Sequence, residues 1–274
     1  MITFALFMRK IALIIPFLLL LLGACNSQEK ILKSKDVNYK LTKANEYYDA
    51  GKWMRANEIY QSLMPVFRGT KNYEELCYRY CYTFYNMEDY LSASYQFKNF
   101  IEAFPNSSRA DECEFMYATC MFKQSPRYSL DQTVTKKAMA VLQSYIDSHP
   151  NSSNLMKANQ YIDICREKIE KKAAHSAKLY YDMEDYKAAT VAYQSLIQEF
   201  PASQQGDFYL LMKQKSFYQY AKASITAKQS ERYQESLDVF NELKEYYPQS
   251  KYMNDALALK ADAQDLINKL NKKK

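Results

Sequence analysis

The chain has 274 residues, 37 Lys and Arg against 31 Asp and Glu, a formal net charge of +6 and only four glycines. The modest charge, with basic and acidic residues interleaved, excludes the strongly basic surface that is typical of nucleic-acid-binding domains. Scarce glycine, together with long segments rich in Ala, Leu, Lys, Glu, Gln and Tyr, favours helices throughout a chain long enough for a large buried core.

Residues 1–24 have the pattern of a secretory signal. Two basic residues precede an apolar run over residues 11–22, and the small residues Gly23 and Ala24 then lead into Cys25. The apolar run is short for a permanent membrane span, which needs roughly 20 residues. This ending resembles the bacterial lipobox, in which small residues fit the signal peptidase and the cysteine thiol receives the lipid. We therefore predict a covalent lipid on Cys25, the alternative being a cysteine that follows an apolar run by chance.

The residues after Cys25 bear on the destination. Asn26 stands where, in the best-known sorting rule, an aspartate would retain a lipoprotein in the inner membrane. No run of acidic residues follows, such as marks export to the cell surface in some phyla. We therefore predict an anchor in the outer membrane, a periplasm-facing chain, and a lipidated tether over residues 25–37.

Four prolines reveal an internal repeat. Each follows an aromatic residue or histidine and precedes a serine by two positions, and successive prolines are 45, 51 and 47 residues apart. A repeat of this length indicates stacked helical pairs. The four segments are Phe104-Pro105-Asn106-Ser107, His149-Pro150-Asn151-Ser152, Phe200-Pro201-Ala202-Ser203 and Tyr247-Pro248-Gln249-Ser250.

Other positions keep register with these prolines. Tyr90, Tyr186 and Tyr233 each lie 15 residues before one, and a small residue follows each tyrosine three positions later. Small residues let two helices approach closely while aromatic rings fill the space beside them, and this arrangement resembles the tetratricopeptide pattern. Proline ends the second helix of a pair, and we expect the Asn or Ser that follows it to cap the next helix.

We therefore predict an all-α, tetratricopeptide-like helix-turn-helix solenoid of about five repeats plus a C-terminal helix, divided into an N-terminal half over residues 38–150 and a C-terminal half over residues 151–274. The predicted helices are 38–50 and 53–65, 71–86 and 88–104, 108–124 and 132–148, 154–181 and 185–199, 205–229 and 231–247, and 250–270.

Two segments depart from the repeat or carry charge. In the third repeat a loop over residues 124–133 replaces the tight turn, and this loop is either idle or reaches a partner. The basic stretch over residues 166–172 alternates with Glu167 and Glu170, which favours a solvated helix face over a binding patch.

We found no pattern that predicts catalysis or a cofactor other than the covalent lipid. His149 occupies the slot held elsewhere by Phe or Tyr, which favours a packed ring, and no His/Cys cluster has metal-ligand spacing. Glu88-Asp89 and Glu184-Asp185 recur at one position of the repeat, as turn and cap residues do. The five remaining cysteines, Cys77, Cys81, Cys113, Cys120 and Cys165, have no compact spacing and are interpreted as small apolar core residues.

A stacked solenoid offers a concave face lined by the first helix of each pair. Tyrosine suits such a groove because its ring buries apolar surface at a low cost in side-chain entropy and its hydroxyl can bond to peptide groups. We expect some of these tyrosines to pack between helices and the others to line the groove. The groove candidates are Tyr47, Tyr48, Tyr78, Arg79, Tyr82 and Tyr85.

The lipobox, the short tether and five long repeats together resemble the BamD family of outer-membrane assembly lipoproteins over essentially the whole chain. The resemblance implies that the N-terminal repeats receive unfolded outer-membrane β-barrel proteins. It also implies that the C-terminal repeats dock the barrel-forming insertase through its periplasmic domains.

Three other readings stay open. Similar repeats serve in periplasmic scaffolding lipoproteins for cell-wall synthesis or gliding-type secretion. Helical-repeat lipoproteins also take part in nutrient uptake at the cell surface, and a regulator of an enzyme is the third alternative. Co-purifying partners would separate assembly from these readings.

Overall fold

The computed structural model describes residues 28–272, so that the predicted signal segment and Cys25 lie outside the described residues. Residues 28–33 are helical, and eleven longer α-helices follow them in the described part. These helices are α1 (Val37–Asp49), α2 (Trp53–Phe67), α3 (Tyr73–Asn86), α4 (Tyr90–Ala103), α5 (Ala110–Lys123), α6 (Thr133–Ser148), α7 (Leu155–Asp182), α8 (Tyr186–Glu199), α9 (Gly206–Lys222), α10 (Thr226–Tyr246) and α11 (Met253–Asn271).

The predicted all-α repeat fold is confirmed. The helices form five successive pairs, α1/α2 to α9/α10, and α11 follows as the predicted C-terminal helix. No strand occurs between residues 28 and 272. The first helix of each pair is called helix A below, and the second is called helix B.

Helices B end where the prolines predict. The residue before proline adopts one non-helical conformation at Phe104, Phe200 and Tyr247, with φ between −134° and −126° and ψ between 58° and 62°. Proline clashes with a helical residue before it, so the helix stops there. Pro65 differs from this expectation, because α2 continues past it to Phe67. In that last turn the proline removes only the hydrogen bond to the carbonyl four residues earlier.

The serines after the prolines do not cap the next helix, contrary to our prediction. Each serine hydroxyl accepts a hydrogen bond from the backbone N–H two residues later, ahead of the first helical turn. Each hydroxyl also donates a hydrogen bond to a carboxylate on the helix A of its own repeat. This bond joins the end of the repeat to its beginning. The donor–acceptor pairs are Ser107–Glu74 at 2.6 Å, Ser152–Asp111 at 2.9 Å, Ser203–Glu170 at 2.5 Å and Ser250–Asp207 at 2.7 Å.

The fifth pair turns earlier than predicted. Its helix A ends at Lys222 and its helix B begins at Thr226, whereas we placed the turn at residue 230. The turn carries neither Gly nor Pro, and it is built by Ile225 in an extended conformation (φ −61°, ψ 145°). Arg232 then packs 3.9 Å from the ring of Tyr220 across the turn.

The tight turns between α3 and α4 and between α7 and α8 confirm the turn and cap roles of their acidic pairs. Glu88 and Glu184 have left-handed backbones, with φ of 60° and 63°. The next residue caps helix B in each case: Asp89 and Asp185 accept the backbone N–H three positions later, at 3.1 Å. Gly51 holds the equivalent left-handed position in the first repeat, with φ of 70°.

Gly51 and Glu88 occupy equivalent left-handed positions, so glycine at position 88 is predicted to stabilise the fold. Replacing Glu88 by Gly removes the steric cost of a left-handed L-residue and should raise the free energy of unfolding by about 1 kcal/mol, less the added entropy of the unfolded chain. Gly51→Ala should lower it by a similar amount, because an added Cβ meets nothing closer than 3.8 Å and only the backbone is strained. Urea denaturation of both variants measures these changes in the free energy of unfolding. A Glu88→Gly protein less stable than the wild type would contradict the steric cost assigned to the left-handed backbone of Glu88.

The described residues divide into two compact units. The first comprises residues 28–125 and 133–162, and the second comprises residues 126–132 and 163–272. The division falls inside α7, whereas we had predicted halves that meet between residues 150 and 151. A continuous helix gives no sequence signal at that point, since neither Gly nor Pro interrupts it.

The loop of the third repeat packs against α7 within the second unit. Lys171 lies 4.6 Å from the centre of the Tyr128 ring, and Lys172 donates a 2.7 Å hydrogen bond to the carbonyl of Leu130. His175 contacts the edge of the same tyrosine ring at 6.2 Å. Part of the basic stretch thus contacts the loop while it still faces solvent, because Arg166 and Lys171 are exposed and Lys172 is half-buried.

The predicted tether is partly folded. Residues 28–33 form a helical turn, and Ile31 is only 4% exposed among core residues of the first repeat. Asp36 caps α1 by accepting the backbone N–H of Tyr39 at 2.9 Å. Within the described residues, the segment expected to be a polar tether is therefore part of the domain. None of the described helices is apolar enough over a sufficient length to span a bilayer.

Candidate protein-binding face

One face of α3 carries the residues of the candidate site. Positions 75, 78, 82 and 85 follow one another at intervals of three or four residues, and position 79 lies four residues after position 75, so the five positions form a single stripe along the helix. Side chains of α1 lie beside one end of this stripe and side chains around the start of α5 lie beside its other edge, as the contacts below show. We call this part of the first unit the α3 face. It consists of Tyr48, Asp49, Glu75, Tyr78, Arg79, Tyr82, Tyr85, Arg109 and Glu112.

Five of the six residues predicted from the sequence come together on the α3 face, and all six are half-buried. Tyr47 is the exception, because its ring faces Lys52 and Arg55, each 5.7 Å away, at the turn into α2. Tyr48 fills the space between helices A and B of the first repeat, with its ring 5.2 Å from that of Trp53. Tyr48 therefore packs between helices, and the lining of a binding groove by the other tyrosines stays a prediction.

Two arginines cross the face, and one carboxylate holds both of them. Glu75 accepts hydrogen bonds from Arg79 Nε at 2.6 Å and forms an ion pair with Arg109 Nη1 at 2.5 Å. Arg79 also reaches Asp49 on α1 at 3.1 Å. Because Arg79 bridges α1 and α3 and Arg109 approaches α3 from the start of α5, the charged groups are fixed across three neighbouring helices A.

Each arginine also lies over a tyrosine ring. The Arg79 guanidinium is 5.0 Å from the ring centre of Tyr48, and the Arg109 guanidinium is 4.2 Å from that of Tyr78. A cation at this distance is attracted by the ring face. The stacking holds the planar guanidinium groups in fixed orientations, which lowers the entropy lost when they bind a partner.

Tyr78 and Tyr82 act as a pair. Their ring centres are 4.9 Å apart, and both hydroxyls donate hydrogen bonds to Glu112 Oε1, that of Tyr78 at 2.9 Å. Burial, followed by the hydrogen bond to Glu112, raises the pKa of Tyr78 to about 12. The same two causes raise the pKa of Tyr82. Both phenols therefore stay protonated at neutral pH and serve as neutral donors.

The ring of Phe97 supports the tyrosine pair from the side of the core. Phe97 on α4 is fully buried and meets the Tyr82 ring edge-on at 5.2 Å. Tyr85, the last residue of the stripe, lies 6.3 Å from Tyr82 and 5.7 Å from Tyr90. The stripe thus rests on the α3/α4 core, which keeps its rings in place before any partner binds.

The charges of the face lead to a prediction about acid stability. Partial burial raises the pKa of Glu75, but hydrogen bonds from Arg79 and Arg109 outweigh burial, so that the pKa lies below its ordinary value of 4.5. A carboxylate with a lowered pKa in the folded state stabilises the fold above its unfolded-state pKa and loses that contribution as the pH falls through the lowered value. Glu75→Gln should therefore be less stable than the wild type at neutral pH, and should lose less stability than the wild type on acidification below about pH 4.5.

Urea midpoints measured between about pH 7 and about pH 3 test this window. Glu102→Gln is the matched control, because Glu102 is an exposed carboxylate on α4 at 3.8 Å from Lys98. Its acid profile should follow that of the wild type. A Glu75→Gln profile parallel to that of the wild type would contradict the proposed role of the two arginines.

Sequence reasoning missed four residues of the face: Asp49, Glu75, Arg109 and Glu112. Glu75 lies four residues before Arg79, a spacing that signals an ion pair on a helix. Arg109 and Glu112 lie in the next repeat, and their contact with α3 depends on how successive repeats stack. No local spacing in the sequence reports that packing.

The remaining titratable groups fit structural roles. His149 packs at 5.0 Å from Tyr145, as expected for a ring in this slot, and its Nε2 also lies 2.7 Å from Glu114. Four of the five described cysteines are buried, none is in a disulfide, and burial raises the pKa of all five. Between residues 28 and 272, no three His, Cys, Asp or Glu side chains are placed to hold a metal ion.

Comparison with known families identifies the chain. The model of a family described as outer membrane lipoprotein, YfiO, matches residues 33–180 and 167–271, which together span most of the chain. The chain belongs to this family. The outer membrane lipoprotein family is the one that the sequence resemblance had indicated.

The other comparisons add little for this outer membrane lipoprotein. A solved structure titled "TPR2AB-domain:pHSP90-complex of yeast Sti1" is 13% identical and has a TM-score of 0.38, with 83% of this chain and 98% of that chain covered. Similarity at this level carries no functional information. No curated protein matches the chain significantly.

Proposed function

We propose that this outer membrane lipoprotein is anchored through a lipid on Cys25 at the periplasmic face of the outer membrane, where it binds proteins during the assembly of β-barrel proteins. Membership of the outer membrane lipoprotein family supports the outer membrane as the location and lipoprotein as the class of protein. The lipobox supports the anchor, and the absence of an acidic run after Cys25 supports the periplasmic orientation.

The observation that carries the binding function is the α3 face. It presents half-buried tyrosine rings and two guanidinium groups that are already oriented by stacking and by carboxylates. Tyr and Arg are enriched at the energetically dominant positions of protein interfaces. Extended chains offer backbone carbonyls and aromatic side chains, which the guanidinium groups and ring faces of this stripe can receive.

Unfolded β-barrel proteins fit this chemistry as ligands. Their strands alternate polar and apolar residues and carry aromatic residues near the membrane interfaces. An extended strand that lies along α3 would place alternate side chains towards the tyrosine stripe. We assign this role to the first unit, and we assign the docking of the barrel-forming insertase, through its periplasmic domains, to the C-terminal repeats.

Peptide binding tests the proposal. The mature lipoprotein in detergent should bind fluorescent peptides copied from the final strands of outer-membrane β-barrels, measured by fluorescence anisotropy. Scrambled peptides of the same composition are the control, because they keep hydrophobicity and charge but lose the alternation. Equal affinity for both peptide sets would overturn the assignment of barrel strands as the ligand.

A further inference from the structure

The segment that leads from the predicted anchor into the fold is held against the first repeat. Ile31, on the helical turn over residues 28–33, is buried in the same core cluster as Ile59 and Leu63 of α2. Gln28, at the start of this turn, donates a 2.5 Å hydrogen bond to Glu58 on the outer side of α2. We call residues 28–33 the N-terminal strap.

The strap leaves very little chain between the lipid and the folded domain. Only Asn26 and Ser27 separate Cys25 from Gln28. Three fully extended residues span at most about 11 Å. A flexible tether over the predicted residues 25–37 would instead allow an average separation of roughly 20 Å and a much larger maximum.

The surface around the strap suits lipid headgroups. Lys30, Lys33 and Lys35 are exposed, with Lys33 paired to Glu29 at 2.5 Å, and residues 28–55 carry seven basic and four acidic side chains. Basic groups close to a bilayer are attracted by anionic phosphate headgroups. The outer side of α2 is otherwise mostly uncharged around Glu58, with Met54 68% exposed and Gln61 also exposed.

We infer that the outer side of α2, next to the strap, lies against the lipid leaflet that holds the anchor. This inference rests on the proposed lipid on Cys25. The partner of this surface is the lipid headgroup layer of the same membrane. The linker from Cys25 to Gln28 spans at most about 11 Å, so the contact between Gln28 and Glu58 has to stay close to that layer. The strap thereby sets which side of the first repeat faces the membrane and leaves the domain little freedom to rotate.

Single-tryptophan reporters test the orientation, since Trp53 is the one tryptophan of the chain. In the full lipoprotein, Trp53→Phe is combined with Gln61→Trp as the near reporter or with Lys137→Trp as the far reporter. Both positions are exposed on a helix B of the first unit, and they lie two repeats apart along the chain. The proteins are reconstituted into vesicles of phosphatidylethanolamine and phosphatidylglycerol that contain a nitroxide-labelled headgroup lipid.

The near reporter should be quenched at least about twofold more strongly than the far reporter. Inserting about ten Gly and Ser residues between Ser27 and Gln28 adds an average of roughly 17 Å of leash and should reduce the difference. Mass spectrometry of Cys25 is measured on the same samples. Equal quenching in a lipidated protein would overturn this inference alone, whereas an unmodified Cys25 would overturn both the anchor and the inference.

Discussion

Phe97→Ala is expected to lower the free energy of unfolding by about 3–5 kcal/mol, the largest effect of any single change considered. Phe97 is fully buried between α3 and α4, it belongs to the core cluster that contains Ala93 and Phe100, and it supports the Tyr82 ring edge-on. The substitution removes most of an aromatic side chain from a site where neighbouring helices cannot close the cavity completely. Chemical denaturation of the mature protein followed by circular dichroism measures the loss.

Tyr95→Ala is the matched control for this prediction. Tyr95 lies two positions before Phe97 on the same helix but is 64% exposed, so its removal should change stability by no more than about 0.5 kcal/mol. A loss at Tyr95 as large as that at Phe97 would show that α4 buries a different face from the one described.

Tyr78→Ala is expected to weaken the binding of barrel-strand peptides by about tenfold or more, which corresponds to at least 1.4 kcal/mol. The change removes a ring of the stripe, one donor to Glu112 and the surface on which Arg109 stacks. Anisotropy titrations with the peptides described above measure the affinity, and circular dichroism establishes that the variant is folded.

Two further variants separate the possible causes. Tyr78→Phe keeps the ring and the stacking surface but removes the phenol, so it should retain most of the affinity if the ring contributes the binding energy. Tyr180→Ala removes an exposed tyrosine of α7 that lies outside the α3 face, and it should bind peptides as the wild type does. If the Tyr78→Ala protein bound the peptides with wild-type affinity, the α3 face would be excluded as the binding site.

The fold was largely predictable because the repeats carry local sequence signals at the ends of helices and at turns. Proline acts on the residue before it through a local clash, so the ends of α4, α6, α8 and α10 could be placed from the sequence alone. The adjacent acidic pairs at Glu88 and Glu184 marked their turns in the same local way. The fifth pair was misplaced because its turn carries no Gly or Pro and depends on the extended conformation of Ile225.

The candidate site was predictable only in part. Tyrosine and arginine at helical spacing on α3 indicated the stripe, because residues three and four apart share a face of a helix. Arg109 and Glu112 join it through stacking between repeats, and the docking of Ile31 depends on the core that α1, α2 and α3 form together. Such contacts join residues that are distant in sequence, and hydrophobic periodicity does not report them.

The most direct test of the central claim is the recovery of partners from native membranes. The full lipoprotein would be used as bait, with mass spectrometry of the proteins that co-purify, and with the Cys25→Ala variant as a control for membrane attachment. We expect a β-barrel protein that carries repeated periplasmic domains, together with outer-membrane barrel proteins as substrates. Recovery of cell-wall synthesis, motility or nutrient-uptake components without such a barrel would contradict the assembly function.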